Sequence, residues 1–412
     1  MEKRILILVI RVSVGERREE LKMKVQRATL LITIVAIALA FFQYAPTASA
    51  SKNSKASWTF MVYLDADNSL DYFGPINLQQ MSDGLAPGAS VNVVVLMDRL
   101  NLPAYTYEVT HEEAEIVQSL GEVDMGSLET LTSFVTFVMQ NYPATYYFLD
   151  MWDHGGGYRG VCWDESSGNH LSPHDVETAV ASAESIERVQ VVGFDACLMG
   201  MVEVCYELKD VTDVVVGSEM LTPGYGWPYR QLMAYLSEHP TVDPYAFSSE
   251  LVKEYVATYP YYTVQLSAID EASMVDFVES LDSFADALKA DVAAYQEIIA
   301  GARSKAQQKF ILGTNGVYYF IDVHKFAYLV GQRSHDANIE ALSEDLMSKL
   351  DAAVFADAHT VKLGNLDAKQ FGLTIYFPPN AQAYSTKYQT YIPCFVTETS
   401  WLSFLMTYNS AM

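Results

Sequence analysis

Cysteine is scarce in this chain: only Cys162, Cys197, Cys205 and Cys394 occur, and no two stand as Cys-x-x-Cys. A disulfide framework is therefore not what holds the fold together, and a thiolate metal knuckle is excluded. The one close histidine pair, His170 and His174 in "NHLSPH", is split by Pro173, so no helical zinc face is available. Positive charge is short as well, with 26 Lys and Arg against 51 Asp and Glu. The first fifty residues hold eight of those bases and four of those acids, which leaves residues 51–412 at a net −29. Such a surface repels nucleic acid and anionic lipid and attracts cationic ligands. No phosphate-loop lysine follows the glycine cluster Gly155–Gly157, and the acidic balance also disfavours a phosphate there. No G-x-S-x-G string exists, which removes the serine elbow that an esterase of the "HGGG" kind requires.

Long apolar runs are missing too, apart from "TLLITIVAIALAFF" (Thr29–Phe42), which is short for a bilayer span. Lys24 and Arg27 precede it and the small-residue string Thr47–Ala50 follows, the pattern of an export signal cut after Ala50. Met23 would be a more typical start for that signal. Residues 1–50 are thus set aside as a targeting segment, with an uncleaved anchor as the alternative. Residues 51–412 form the folded unit, whose C-terminal half, 241–412, is read as helices and strands, and its expected place is outside the cell or on its surface.

What the chain does have is an α/β rhythm. Buried strands are predicted at Trp58–Leu64, Val91–Asp98, Thr145–Trp152, Val189–Cys197 and Asp213–Glu219, with a solvent-edged strand at Ala104–Thr110. Helices are predicted over Ser127–Asn141, from Ser172 as N-cap with Pro173 in the first turn, and directly after Cys197. Strands alternating with helices imply a mainly parallel sheet covered on both faces. Further on, Ser273–Ile299 reads as one long amphipathic helix, and Val317–Val323 and Gly372–Pro378 as strands extending the same sheet.

In an open parallel sheet, functional groups collect at the carboxyl ends of strands. His154, in "DHGGG", and Cys197, in "FDACLMG", stand at two such ends. A cysteine opening a helix is favoured as thiolate by the free N–H groups and dipole there, and a nearby imidazole serves as its base. The Gly155 and Cys197 amides are candidates for an oxyanion hole. Asp195 leaves the strand on the same face as Cys197, roughly 7 Å away, where a carboxylate could receive a basic side chain. Glu219 is a second candidate for the rim of such a pocket. Cys205, eight residues beyond Cys197 on the apolar side of the expected helix, should be inert.

The strings "LDMWDHGGGYRG", "VVGFDACLMGMVEVCYEL", "VVGSEMLTPGYGWPY" and "FGLTIYFP" resemble the clostripain-type cysteine peptidases, relatives of caspases, legumains, gingipains and separase. The resemblance covers nearly all of residues 56–405. It implies a caspase-like α/β/α sandwich with additional C-terminal helices and strands. It also implies a His154–Cys197 dyad, an S1 pocket that includes Asp195, and cleavage after Arg or Lys. The expected function is a secreted cysteine endopeptidase acting on peptides or proteins with basic residues, without nucleic acid and with the membrane only if the N-terminal segment stays on. A silent binding protein of the same fold is the alternative. The family's zymogens are commonly cut between the histidine and the cysteine, yet Arg159 and Arg188 are the only bases there, so activity without excision of a loop peptide is expected. No cofactor is required by the sequence. Calcium stays open: "DADNSLD" (Asp65–Asp71) has alternating acids but Leu70 and Ile76 where an EF-hand needs Gly and Glu.

Overall fold

The computed structural model describes residues 55–307, 311–312, 316–360 and 372–411; the expected export segment lies outside them. Nine strands form the main sheet: β1 (Ala56–Ala66), β2 (Val91–Arg99), β3 (Leu102–Val109), β4 (Ala114–Gly121), β5 (Ala144–Trp152), β6 (Val191–Asp195), β7 (Val214–Gly217), β8 (Gln265–Asp270) and β9 (Val354–His359). Their order across the sheet is β9-β8-β7-β6-β5-β1-β2-β3-β4. The five central strands run parallel, and an antiparallel pair finishes each edge.

Alternation in β1 explains the layering. Phe60, Val62 and Leu64 pack into a core beneath the helices Gly74–Gly84, Tyr229–Glu238 and Pro244–Thr258. Met61 and Tyr63 point the other way, into the larger core under Leu128–Asn141, Pro173–Ala183, Val202–Leu208 and Glu271–Ala290. A strand buried on both faces reads as a continuous apolar run, which is why the central strands were visible in the sequence. Ser127 and Ser172 cap their helices as expected, Ser127 through the Glu129 amide and Ser172, ahead of Pro173, in a capping box that Asp175 completes.

Three expectations are corrected. The long helix is two, Glu271–Ala290 and Val292–Ala306, because Asp291 leaves helical geometry (φ −140°) and its side chain accepts from the Ala294 amide as a new N-cap. The late strands do not extend the main sheet: Phe320–Asp322 and Thr374–Tyr376 form a separate two-stranded ladder, with single bridges to Gln307 and Met201. The helix after Cys197 begins at Val202, so the cysteine lies in a turn and gains nothing from a helix dipole. Among the described residues, no helix is long and apolar enough to cross a membrane.

Growth of the sheet reverses between β1 and β5, since β2 lies on one side of β1 and β5, β6 and β7 follow on the other. The crevice at the carboxyl ends beside this switch point is where open α/β sheets take ligands.

Candidate active site

β5 ends at Trp152, β6 at Asp195, and the register pairs these two residues. The segments that leave the sheet there, Asp153–Gly155 and Ala196–Cys197, consequently run side by side. Their approach depends on glycine: a Cβ on Gly155 would overlap the carbonyl oxygen of Cys197. The six residues Gly155–Gly160 spell G-x-G-x-x-G, but the strand Val161–Asp164 follows rather than a helix, so the phosphate-binding turn that uses this spacing is not built.

His154 and Cys197 line one cavity of about 280 Å³, together with Asp195, Leu70, Trp152 and the segment Leu221–Gly224. The imidazole Nε2 lies 2.9 Å from Ser69 Oγ, on the loop that leaves β1. The next residue of that loop toward β1, Asn68, donates to Asp153 Oδ1 at 2.7 Å and to the Trp163 carbonyl, while Asp153 Oδ2 accepts from the Trp163 amide. Asp153 therefore ties three segments together; in none of these bonds does it reach the ring of His154. Burial lowers the histidine below its ordinary range, partly countered by Glu165.

The Cys197 sulfur accepts from the Thr222 amide at 3.2 Å and lies 3.8 Å from the Thr222 carbonyl. Burial pushes this thiol up to about 11, with the charges of Asp195 and Asp153 adding to the rise and the Thr222 bond opposing it. Burial accordingly disfavours the charged form of both groups at rest, and no helix N-terminus is present to favour the thiolate. Leu198, next in the chain, is held at φ +68°, with its amide donating to the Met220 carbonyl. That left-handed turn aims the chain back toward β7 after the cysteine. Cys205 is fully buried and pushed well up by burial, in keeping with an inert role.

Asp195 forms the floor of the cavity. Its Oδ2 accepts from the Trp227 amide at 2.6 Å and the Tyr229 hydroxyl at 2.9 Å, whereas Oδ1 has no partner. The same hydroxyl lies 2.6 Å from Asp150 Oδ2. A phenol has one proton, so both contacts are hydrogen bonds only if one of the two carboxyls is protonated. Burial pushes Asp195 up to about 7, and burial plus the neighbouring Asp195 drives Asp150 well above its usual range. Burial therefore favours one shared proton in this pair, with Asp150 the more strongly raised of the two. Gly226, at φ +74°, closes the floor where a Cβ would come within 2.7 Å of Asp195 Oδ2.

Glu219 is not at this rim. It is fully buried, its charged neighbours are Asp322 and Asp357, and it is absent from the cavity wall. The apolar strand Val214–Gly217 placed it near the site in sequence, but the turn after β7 carries it under the sheet edge, where its amide donates to Gln265. Ser69, Asp150, Thr222, Trp227 and Tyr229 are site residues that the sequence did not announce. Only Asp150 carried a signal, as an acid inside an apolar strand.

An open parallel sheet with a histidine and a cysteine at adjacent strand ends, above an acid-floored cavity, defines a caspase-like cysteine peptidase architecture. The chain belongs to the clostripain family, whose family model matches residues 62–408. A clostripain from Hathewaya histolytica is 27% identical over 232 residues, a match covering 45% of this chain and 43% of that protein's own length. The fold is similar to that of an inactive zymogen C11 protease from Parabacteroides distasonis (TM-score 0.65, 20% identity, 85% of this chain and 99% of that one). It is also similar to a secreted C11 cysteine protease from Bacteroides thetaiotaomicron in complex with an irreversible peptide inhibitor (TM-score 0.63, 19% identity, 83% and 98%).

Proposed function

We propose that the protein is a secreted cysteine endopeptidase that cleaves after Arg or Lys, with Cys197 as nucleophile and His154 as its base. The observation that carries the specificity is Asp195 in the wall of the cavity that Cys197 also lines, with its buried Oδ1 unpartnered. A guanidinium or ammonium entering the cavity gives that oxygen the charge-assisted hydrogen bond it lacks, and places the following carbonyl at the thiol.

His154 takes the thiol proton as the sulfur attacks, since burial disfavours the charged form of both groups at rest. The oxyanion is received by the Gly155 and Cys197 amides. The imidazolium then protonates the leaving amine, a thioester remains on Cys197, and water deprotonated by His154 releases the acid. Ser69, bonded to Nε2, fixes the orientation of the imidazole. Export is supported by the signal-like pattern of residues 24–50 and agrees with the secreted relative described above.

The test is covalent labelling with a peptidyl acyloxymethyl ketone ending in Arg, followed by peptide mapping. A single adduct on Cys197, lost in His154→Ala and strongly reduced in Asp195→Asn, supports the reading. Labelling spread over Cys162 or Cys394, or none at all, contradicts it.

A further inference from the structure

Three tyrosines beside the cavity stand out from the polar surface: Tyr72, Tyr225 and Tyr262 are 71%, 52% and 49% exposed. Exposed apolar side chains scattered singly are ordinary. These belong to one strip. The Tyr72 ring meets Phe73 edge-on at 5.4 Å, and Phe73 meets Tyr225 edge-on at 5.1 Å. Buried Tyr259 lies 5.5 Å from the Tyr262 ring, and its hydroxyl donates to the carbonyl of Gly226, next to Tyr225. The strip continues the cavity wall. Leu70 and Gly224 line the cavity, and a Cβ on Gly224 would come 3.4 Å from Leu70 and 3.1 Å from the Phe73 ring.

The backbone beneath Tyr225 is held firmly while its ring is left half open. Pro223–Gly226 is a tight turn, closed by the Gly226 amide on the Pro223 carbonyl at 3.0 Å, with Gly226 at φ +74°. The Tyr225 carbonyl accepts from Asn77 Nδ2 at 2.9 Å, and Asn77 Oδ1 accepts from the Trp152 indole at 2.8 Å. Directly after the turn, the Trp227 amide donates to Asp195. One short segment thus binds the acid of the cavity floor and holds out an aromatic ring beside the cavity mouth.

We propose that Tyr225, with Tyr72 and Phe73, forms a second specificity subsite, which receives an aromatic or bulky apolar side chain of the substrate on the N-terminal side of the cleaved bond. Aromatic rings pair favourably edge to face, and the strip already presents its rings in that alternation. A tyrosine has only two side-chain torsions, so a ring on a fixed backbone costs little to order when a ligand covers it. An acidic side chain is disfavoured there by the net −25 charge of the chain.

The direction of the substrate rests on the proposed peptidase reading. His154 gives its proton to the leaving amine, so the residues after the cleaved bond depart past the histidine. Those before it run over the other bank of the sulfur, where the Thr222 amide bonds Cys197 Sγ and the chain continues into the turn that bears Tyr225.

The test uses coumarin amides of Ala-Ala-Ala-Arg in which each alanine in turn is replaced by Phe, Leu, Arg or Asp. At one of the positions, Phe and Leu should raise kcat/KM by about fivefold over Ala in the native protein. In Tyr225→Ala that ratio should fall to about one, whereas Tyr225→Phe, which keeps the ring, should retain it. Tyr328→Ala, at an exposed position on the helix Val323–Ser334, should retain it too. Each ratio is taken within one enzyme, so differences in active fraction cancel. A flat profile at every position, a ratio that survives Tyr225→Ala, or a larger gain from Arg than from Phe overturns the subsite and leaves cleavage after Arg standing. No hydrolysis of any of these amides overturns the peptidase reading and the subsite with it.

Discussion

Tyr229 stands between two buried carboxyls with one proton to give, and the charge on Asp195 depends on it. Asp195 takes up a proton as pH falls through about 7 and then offers a cationic side chain no charge. His154 is shifted below its ordinary range and is still a base at that pH. The acid limb of kcat/KM for an Arg substrate therefore belongs to Asp195 and falls near pH 7, whereas a neutral P1 residue should lose activity only at lower pH. Tyr229→Phe removes a bond that favours the ionised acid, so the limb should move to higher pH; pH profiles of the two enzymes on one substrate check this. Asp195→Asn should lower kcat/KM for Arg substrates by about 10²-fold, the value of one charge-assisted contact, with smaller loss for neutral ones. Gly155→Ala has no room beside the Cys197 carbonyl; it should lose most activity and lower the melting temperature, by strain on the order of 1–3 kcal/mol.

The connection from β5 to β6 decides how the proposed enzyme becomes active. Its two bases are both occupied: Arg159 lies over the Tyr318 ring at 4.8 Å, and Arg188 bonds Asp213, Glu184 and two carbonyls. Neither is offered as an extended substrate strand, so the expected active form is a single chain, and intact mass of a fully labelled sample should show no second fragment. The same stretch marks what was legible beforehand. The central strands and the two strand ends bearing His154 and Cys197 stood out because burial on both faces leaves continuous apolar runs. Edge strands such as Ala114–Gly121, with no buried residue and irregular in register, left no such trace. The turn at Cys197 was misread as a helix because the helical pattern from Val202 runs smoothly back into "CLMGM". Ser69, Thr222 and Tyr229 reach the site from segments far away in the chain, and nothing local in their sequence reports that.

Among the described residues, twelve acids are buried, and none of them forms an ion pair with a lysine or arginine. Asp195, Glu203 and Glu207 are each pushed up to about 7, with burial the first cause. The folded chain thus binds more protons than the unfolded one between the ordinary carboxylate range and about pH 7. Stability must fall as pH rises through that window, by up to about 1.4 kcal/mol per pH unit for each such group. Thermal melts of Cys197→Ala in chelator should give a higher melting temperature at pH 5.5 than at pH 7.5. A flat profile would mean that these acids are ionised without cost. The central claim, a cysteine peptidase whose acid floor selects a basic residue, is tested most directly by a panel of fluorogenic peptides that differ only at P1, run on the native protein beside Cys197→Ala. The account predicts cleavage after Arg and Lys that disappears in the variant. Cleavage after Asn or Asp, or turnover that survives loss of the Cys197 sulfur, would contradict it.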